Sequence, residues 1–220
     1  MESRGNDSGL LCGEAGSRKY NPAMLSVAVQ AGGQSTRMGE NKALRVFRGK
    51  PLIERVVRRM ESIADELLVI TNSVGDYDFL NAPQIPDVRP GLGPLGGLYT
   101  ALTAAHFPSV AVIACDMPFA SGPLVVASAG ILLQDNVDVV IAETADGLEP
   151  LHAVYRRGAC LPAIEAAVDS GRLRMISWFP DVRVRRLKAE EIRRYDPDGL
   201  AFLNVNTPAD FVRAERIAGR

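Results

Sequence analysis

The chain has 220 residues, 47% of them hydrophobic and 23% charged, with a formal net charge of −1. Such a chain fits one globular α/β domain, and its near-neutral balance argues against a nucleic-acid backbone or an anionic membrane as main partner, so any phosphate site must be a local feature. Cys12, Cys115 and Cys160 lie far apart without a CxxC pair, and two histidines accompany them, which indicates neither a disulfide framework nor a zinc site and fits a reducing cytoplasm.

Residues 1–23 are rich in Gly, Ser and charge without apolar periodicity, and they read as a disordered leader ahead of one domain over 24–220. The opening MESRGNDSGL carries acids where a signal peptide has basic residues, and no apolar run reaches the length of a membrane span. Val27-Ala28-Val29 is the end of a buried strand, broken by Gly32-Gly33. Paired glycines let backbone N–H groups approach an anion, and Arg37 and Lys42 bring two cations to the same loop, so a polyphosphate is the natural guest. The alternative is a glycine turn with two solvated cations. A P-loop is disfavoured, because Glu40 and Asn41 separate Gly39 from Lys42 and Ala43 follows where Ser or Thr is needed.

Gly49-Lys50-Pro51 predicts a turn, with Pro51 at the start of a helix whose apolar face carries Leu52, Ile53, Val56, Val57, Met60 and Ile63. Leu67 to Ile70 reads as a buried parallel strand, which sets Asn72 at a carboxyl end. Residues 81–97 are too rich in Pro and Gly for regular structure. Gly91, Gly93 and Gly96 have dinucleotide-fingerprint spacing, but two prolines in Ile85 to Pro90 stand where that motif needs a strand. A helix carrying Leu98, Leu102 and Ala105 stops at Pro108, and Val110 to Cys115 is the most strand-like run in the chain. Asp116 follows directly. Ligand crevices in open α/β sheets lie outside the carboxyl ends of the strands, so Asp116, Asn72 and the Gly32 loop face one crevice, where a single carboxylate beside phosphate suffices for Mg²⁺. Capping of the helix near Pro123 is the competing role for Asp116.

Asp138 to Glu143 repeats the strand pattern, and Pro150 to Tyr155 reads as an amphipathic strand that gives the sheet an edge. His152 within it is read as a surface residue without a role. A helix over Cys160 to Val168 and a half-exposed strand over Val182 to Leu187 follow, with Arg183, Arg185 and Arg186 on its solvated side. Thr207-Pro208-Ala209-Asp210 opens a last helix with Phe211 and Ile217. The amides of Asn204 and Asn206 suit a polar heterocycle, although Asn206 or Thr207 could instead cap that helix. Strands alternating with helices indicate a single three-layer α/β/α domain with a Rossmann-like, mainly parallel sheet and a short antiparallel excursion in its second half.

The stretch VAVQAGGQSTRMGENKAL resembles the signature of the molybdenum cofactor guanylyltransferases, which usually runs Leu-Ala-Gly-Gly, Arg-Met-Gly, Asp-Lys. Gln30 stands where those proteins usually carry Leu, and Asn41 where they carry Asp. Asp116-Met117-Pro118 resembles their metal motif, Asp87 matches the acid of their Pro-Gly loop, and Asn204-Val205-Asn206-Thr207-Pro208 matches their ending. The resemblance extends from Val27 to the last helix and implies a nucleotidyltransferase that moves GMP from GTP to the molybdopterin cofactor, releasing pyrophosphate. It implies catalytic Arg37, Lys42 and Asp116, and Mg²⁺ on Asp116. It also implies nucleotide contacts from Gln30, Ala31, Gly32, Gly33, Lys42, Asn72, Asp87, Gly93 and Asp116, with Asn204 and Asn206 serving the second substrate. GTP and molybdopterin are the implied partners, with molybdoenzymes or cofactor-delivery proteins beyond them. A cytidylyltransferase acting on the same pterin, a sugar-phosphate nucleotidyltransferase and a nucleotide-binding regulator without turnover are the competing readings. Ala31-Gly32-Gly33 favours guanine, and the presence of both Lys42 and Asp116 favours catalysis.

Overall fold

A computed structural model describes residues 24–32 and 41–219. The leader, Gly33 and Arg37 lie outside the described residues. Seven strands form the main sheet in the order β5 (Gln84–Ile85), β4 (Glu66–Ile70), β1 (Leu25–Gln30), β6 (Ser109–Ala114), β8 (Gly147–Arg156), β7 (Val139–Thr144) and β9 (Val184–Leu187). Only β8 runs against the others, pairing antiparallel with β6 and β7, while the remaining neighbours are parallel. This is a mainly parallel, Rossmann-like α/β sheet with an antiparallel excursion.

The strand residues alternate between two cores because successive side chains point to opposite faces. Val27 and Val29 of β1 pack with Ile53, Val56 and Met60 of α1 (Leu52–Met60) and Leu124 and Leu132 of α3 (Gly122–Gln134). Ala28 packs on the other face with Leu95 and Leu98 of α2 (Pro94–Ala104) and Ile164 of α4 (Arg157–Asp169). A smaller third cluster seats α6 (Pro208–Ala218) on Phe47, with Phe47 and Phe211 rings edge to face at 5.5 Å. After β9 the short α5 (Ala189–Ile192) adds Ile192 to the α1/α3 side.

Three expectations change. Pro150–Tyr155 is not an edge: β8 lies inside the sheet, and Ala153, Val154 and Tyr155 are buried. The stretch before His152 is only partly buried because the first half of β8 projects towards the crevice end, while β5 and β9 form the edges. Residues 81–97 contain regular structure after all, since Gln84–Ile85 pairs with Val69–Ile70 as an edge strand, where the flanking Pro83 and Pro86 are tolerated. Finally, Gly49-Lys50-Pro51 belongs to a tight hairpin of β2 (Val46–Phe47) and β3 (Lys50–Pro51). Arg48 and Gly49 take φ of 50° and 80° there, as two-residue loops between twisted strands require, and α1 begins one residue after Pro51.

Candidate active site

The carboxyl end of β1 is clamped on both sides. Ala31 N–H donates to the Ile70 carbonyl at 2.8 Å and Cys115 N–H to the Gln30 carbonyl at 3.1 Å. The chain leaving β1 therefore opens over the ends of β4 and β6, and a cavity of about 250 Å³ lies there. It is walled by Gln30, Ala31 and Gly32 from the β1 end, Asn41 to Ala43 from the returning loop, Pro94 from α2, Ala114 to Asp116 from β6, Leu151 from β8, and Asn206. The Ala31 amide is committed to the sheet, so amide donors for a phosphate must come from Gly32 onward.

Lys42 stands at the centre of the charged end. Its Nζ donates to Asp116 Oδ2 at 2.9 Å and to Asn206 Oδ1 at 2.6 Å. Each contact has a local cause. Lys42 sits in a single 3-10 turn (Lys42–Leu44) that Asn41 caps by accepting from Ala43 N–H at 3.2 Å. Asn41 is itself held by Tyr77, whose hydroxyl receives its Nδ2–H at 2.9 Å, and by Asp76 at 3.3 Å. An aspartate at position 41 could not donate to Asp76, so the departure at this position is matched by its neighbours. On the other side, Val205 N–H donates to the Asp116 carbonyl at 2.9 Å, which carries Asn206 to Lys42.

The capping alternatives resolve against Asp116 and Asn206. Ser121 caps α3 through Leu124 N–H at 3.2 Å. Thr207 and Asp210 form a reciprocal capping box on α6, which leaves the Asn206 side chain for Lys42.

Of the residues expected to share one site, Gln30, Ala31, Gly32, Lys42, Asp116 and Asn206 line the cavity. Asn72 and Asp87 instead pair with each other in the neighbouring loop, Asn72 Nδ2–H donating to Asp87 Oδ2 and Asp87 N–H to Asn72 Oδ1, both at 2.9 Å. Gly93 precedes the cavity wall at Pro94 and takes φ 58°, which only glycine adopts freely, to start α2. Asn204 is half-buried off the cavity wall, its Nδ2 3.4 Å from the Phe202 carbonyl.

Sequence reasoning missed Pro94, Cys115 and Leu151 as cavity wall, and Tyr77 as support for Asn41. Apolar and aromatic residues carry no motif, and the Tyr77 contact spans 36 positions. Burial and the adjacent Asp116 carboxylate push the Cys115 thiol up to about 12, so it forms a neutral part of the wall. His152 is also misread as a surface residue. It is buried, its Nε2 accepts from Ser121 N–H at 3.0 Å, and burial pushes its imidazole down to about 4.

The described residues contain no group of three or more His, Cys, Asp and Glu able to cage a metal. A lone carboxylate beside an open cavity still fits Mg²⁺, which takes one or two carboxylates and completes its shell with substrate phosphate oxygens and water. Among the described residues no helix is long and apolar enough to cross a membrane.

Residues 27–183 match the family model described as the MobA-like NTP transferase domain. The chain is 35% identical over 188 residues to the molybdenum cofactor guanylyltransferase of Desulfosudis oleivorans, covering 85% of this chain and 92% of that protein. It is 36% identical over 200 residues to a probable molybdenum cofactor guanylyltransferase of Carboxydothermus hydrogenoformans, covering 88% and 96%. The crystal structure of molybdopterin-guanine dinucleotide biosynthesis protein A from Archaeoglobus fulgidus superposes with a TM-score of 0.77 at 29% identity, covering 88% of this chain and 98% of that one.

Proposed function

This chain belongs to the MobA-like NTP transferase family, and from that premise we propose that it transfers GMP from GTP to the molybdenum–molybdopterin cofactor, forming the guanine dinucleotide and pyrophosphate. The observation that carries the reading is the convergence of Lys42, Asp116 and Asn206 within hydrogen-bond distance on the cavity that Gly32, just after β1, also lines.

The terminal phosphate of the pterin attacks the α-phosphorus of GTP in line. Its P–O bond forms as the bond to pyrophosphate breaks. A phosphate monoester is already anionic, so no strong base is needed, and catalysis consists of positioning two polyanions and neutralising charge. Lys42 supplies a cation whose ammonium is oriented by Asp116 and Asn206 before substrate arrives, and Arg37 adds a second. Amides from Gly32 and Gly33 donate to phosphate oxygens. Asp116 is the residue that would hold Mg²⁺, which when bound supplies further neutralisation of the triphosphate. Asn72, Asp87 and Gly93 serve the nucleoside side, and Asn204 and Asn206 the pterin side. The residues before 24 are dispensable for this activity.

The test is incubation with molybdopterin cofactor and each of the four nucleoside triphosphates, reading pyrophosphate release and product mass. GTP should give a guanine dinucleotide. A preference for CTP would favour the cytidylyltransferase, equal use of all four a broader transferase, and binding without pyrophosphate release a regulator.

A further inference from the structure

Gln30 carries a polar atom that the fold leaves without a function. Its side chain is buried, with 5% exposure, and its amide has a fixed orientation because Nε2 donates to the Pro94 carbonyl at 3.1 Å. Reversing the amide would set two oxygens against each other. Oε1 is thereby left as a buried acceptor with no hydrogen-bond partner among the described residues. Such a group costs stability and calls for a specific explanation.

The surroundings confine the amide. A Cβ on Gly97 would come within 2.1 Å of Gln30 Nε2 and 2.3 Å of Cδ, so α2 has a gap at Gly97 that the Gln30 side chain occupies. The backbone of Gln30 is engaged with β6. Among the described residues Gln30 is part of the wall of the active-site cavity, together with Ala31, Gly32 and Lys42. A carbonyl oxygen accepts and cannot donate, so it does not bind a triphosphate, whose oxygens are also acceptors. It is suited to a neutral donor.

We infer that Gln30 is a nucleoside-specificity residue, whose Oε1 accepts a hydrogen bond from either the exocyclic amino group of the base or a ribose hydroxyl. This deepens the GTP reading above and rests on it. Among the described residues this acceptor is unpaired; the correct nucleotide satisfies it, and a nucleotide without that donor does not. Discrimination by an unfilled buried partner is stronger than discrimination by fit. The Leu of the signature that this stretch resembles has no such atom to offer.

The test uses the full chain with Gln30→Met, which keeps the unbranched length and removes both polar atoms, and Gln30→Leu as a second variant. Nucleotide affinity is measured by calorimetry for GTP, for ITP, which lacks the 2-amino group, and for 2′,3′-dideoxy-GTP, which lacks the ribose hydroxyls. Melting temperature is measured without ligand. The variants should bind GTP about tenfold more weakly while the free proteins melt no lower than wild type. The deficit should vanish for ITP if the base amino group is the donor, or for the dideoxy analogue if a ribose hydroxyl is. Unchanged GTP affinity in both variants, or an equal deficit for all three nucleotides, would overturn the inference. A lowered melting temperature with unchanged affinity would overturn it too, assigning Gln30 to pinning α2 alone. Failure of the wild type to bind GTP would overturn the guanylyltransferase reading instead.

Discussion

His152 gives this fold a built-in acid sensitivity whose size follows from its surroundings. The ring is buried within β8, edge-on to Phe202 at 5.2 Å between centroids, and its unprotonated Nε2 accepts the N–H of Ser121, the cap of α3. Protonation would put a cation in the core and set a donor against a donor. Burial therefore pushes the folded-state value down to about 4, against about 6.5 in an unfolded chain. Because the folded value is the lower one, the stabilisation is complete above about pH 6.5 and is lost as pH falls towards about 4. The interval corresponds to about 3 kcal/mol, a large share of an ordinary domain's stability. His152→Gln keeps an acceptor for Ser121 N–H and removes the titration. In urea unfolding at about pH 7.5 and about pH 4.5, wild type should lose about 2.5 kcal/mol more than the variant between the two. Equal losses would refute the argument, because carboxylates common to both proteins would then account for all of the acid sensitivity.

Asp116→Asn should reduce turnover at least ~100-fold with melting temperature nearly unchanged, since its partner Lys42 is partly solvated and such pairs contribute little to folding; full activity in the variant would remove Asp116 from the mechanism. Asn41→Asp, which installs the acid of the signature this stretch resembles, sets a carboxylate against Asp76, 3.3 Å from the present Nδ2. It should lower the melting temperature at low ionic strength, a deficit that salt or a second change, Asp76→Asn, repairs; a deficit independent of both would contradict the charge argument. Gly97→Ala should destabilise by about 1–3 kcal/mol through collision with Gln30, and Gln30→Ala in the same chain should recover part of it in a double-mutant cycle. Additive losses would place the clash elsewhere.

The strands buried on both faces were legible because a fully buried parallel strand needs a continuous apolar run, as Val110 to Ala114 supplies. That Lys42, Asp116 and Asn206 lie beside one crevice was legible because polar residues directly after strands and before helices leave motifs. The interior position of β8 was not. Strand order depends on where the hairpin with β7 is inserted, and the Gly, Glu and Pro of Gly147–Leu151 suit an edge as much as a crevice wall. His152 looked exposed because its burial depends on Ser121 and Phe202, 31 and 50 positions away. The unpaired oxygen of Gln30 was invisible for the same reason, since it follows from Pro94 and Gly97 fixing the amide from another element.

The central claim is that GMP moves to the pterin phosphate at the site built by Lys42 and Asp116. The most direct measurement supplies the wild-type chain with molybdopterin cofactor and GTP labelled in separate reactions at the α- or γ-phosphorus, with Lys42→Met run in parallel. The account expects α-label in the pterin dinucleotide, γ-label in pyrophosphate, and neither transfer at an appreciable rate in the variant. Release of γ-label as inorganic phosphate, α-label remaining with free nucleotide, or undiminished transfer by Lys42→Met would contradict it.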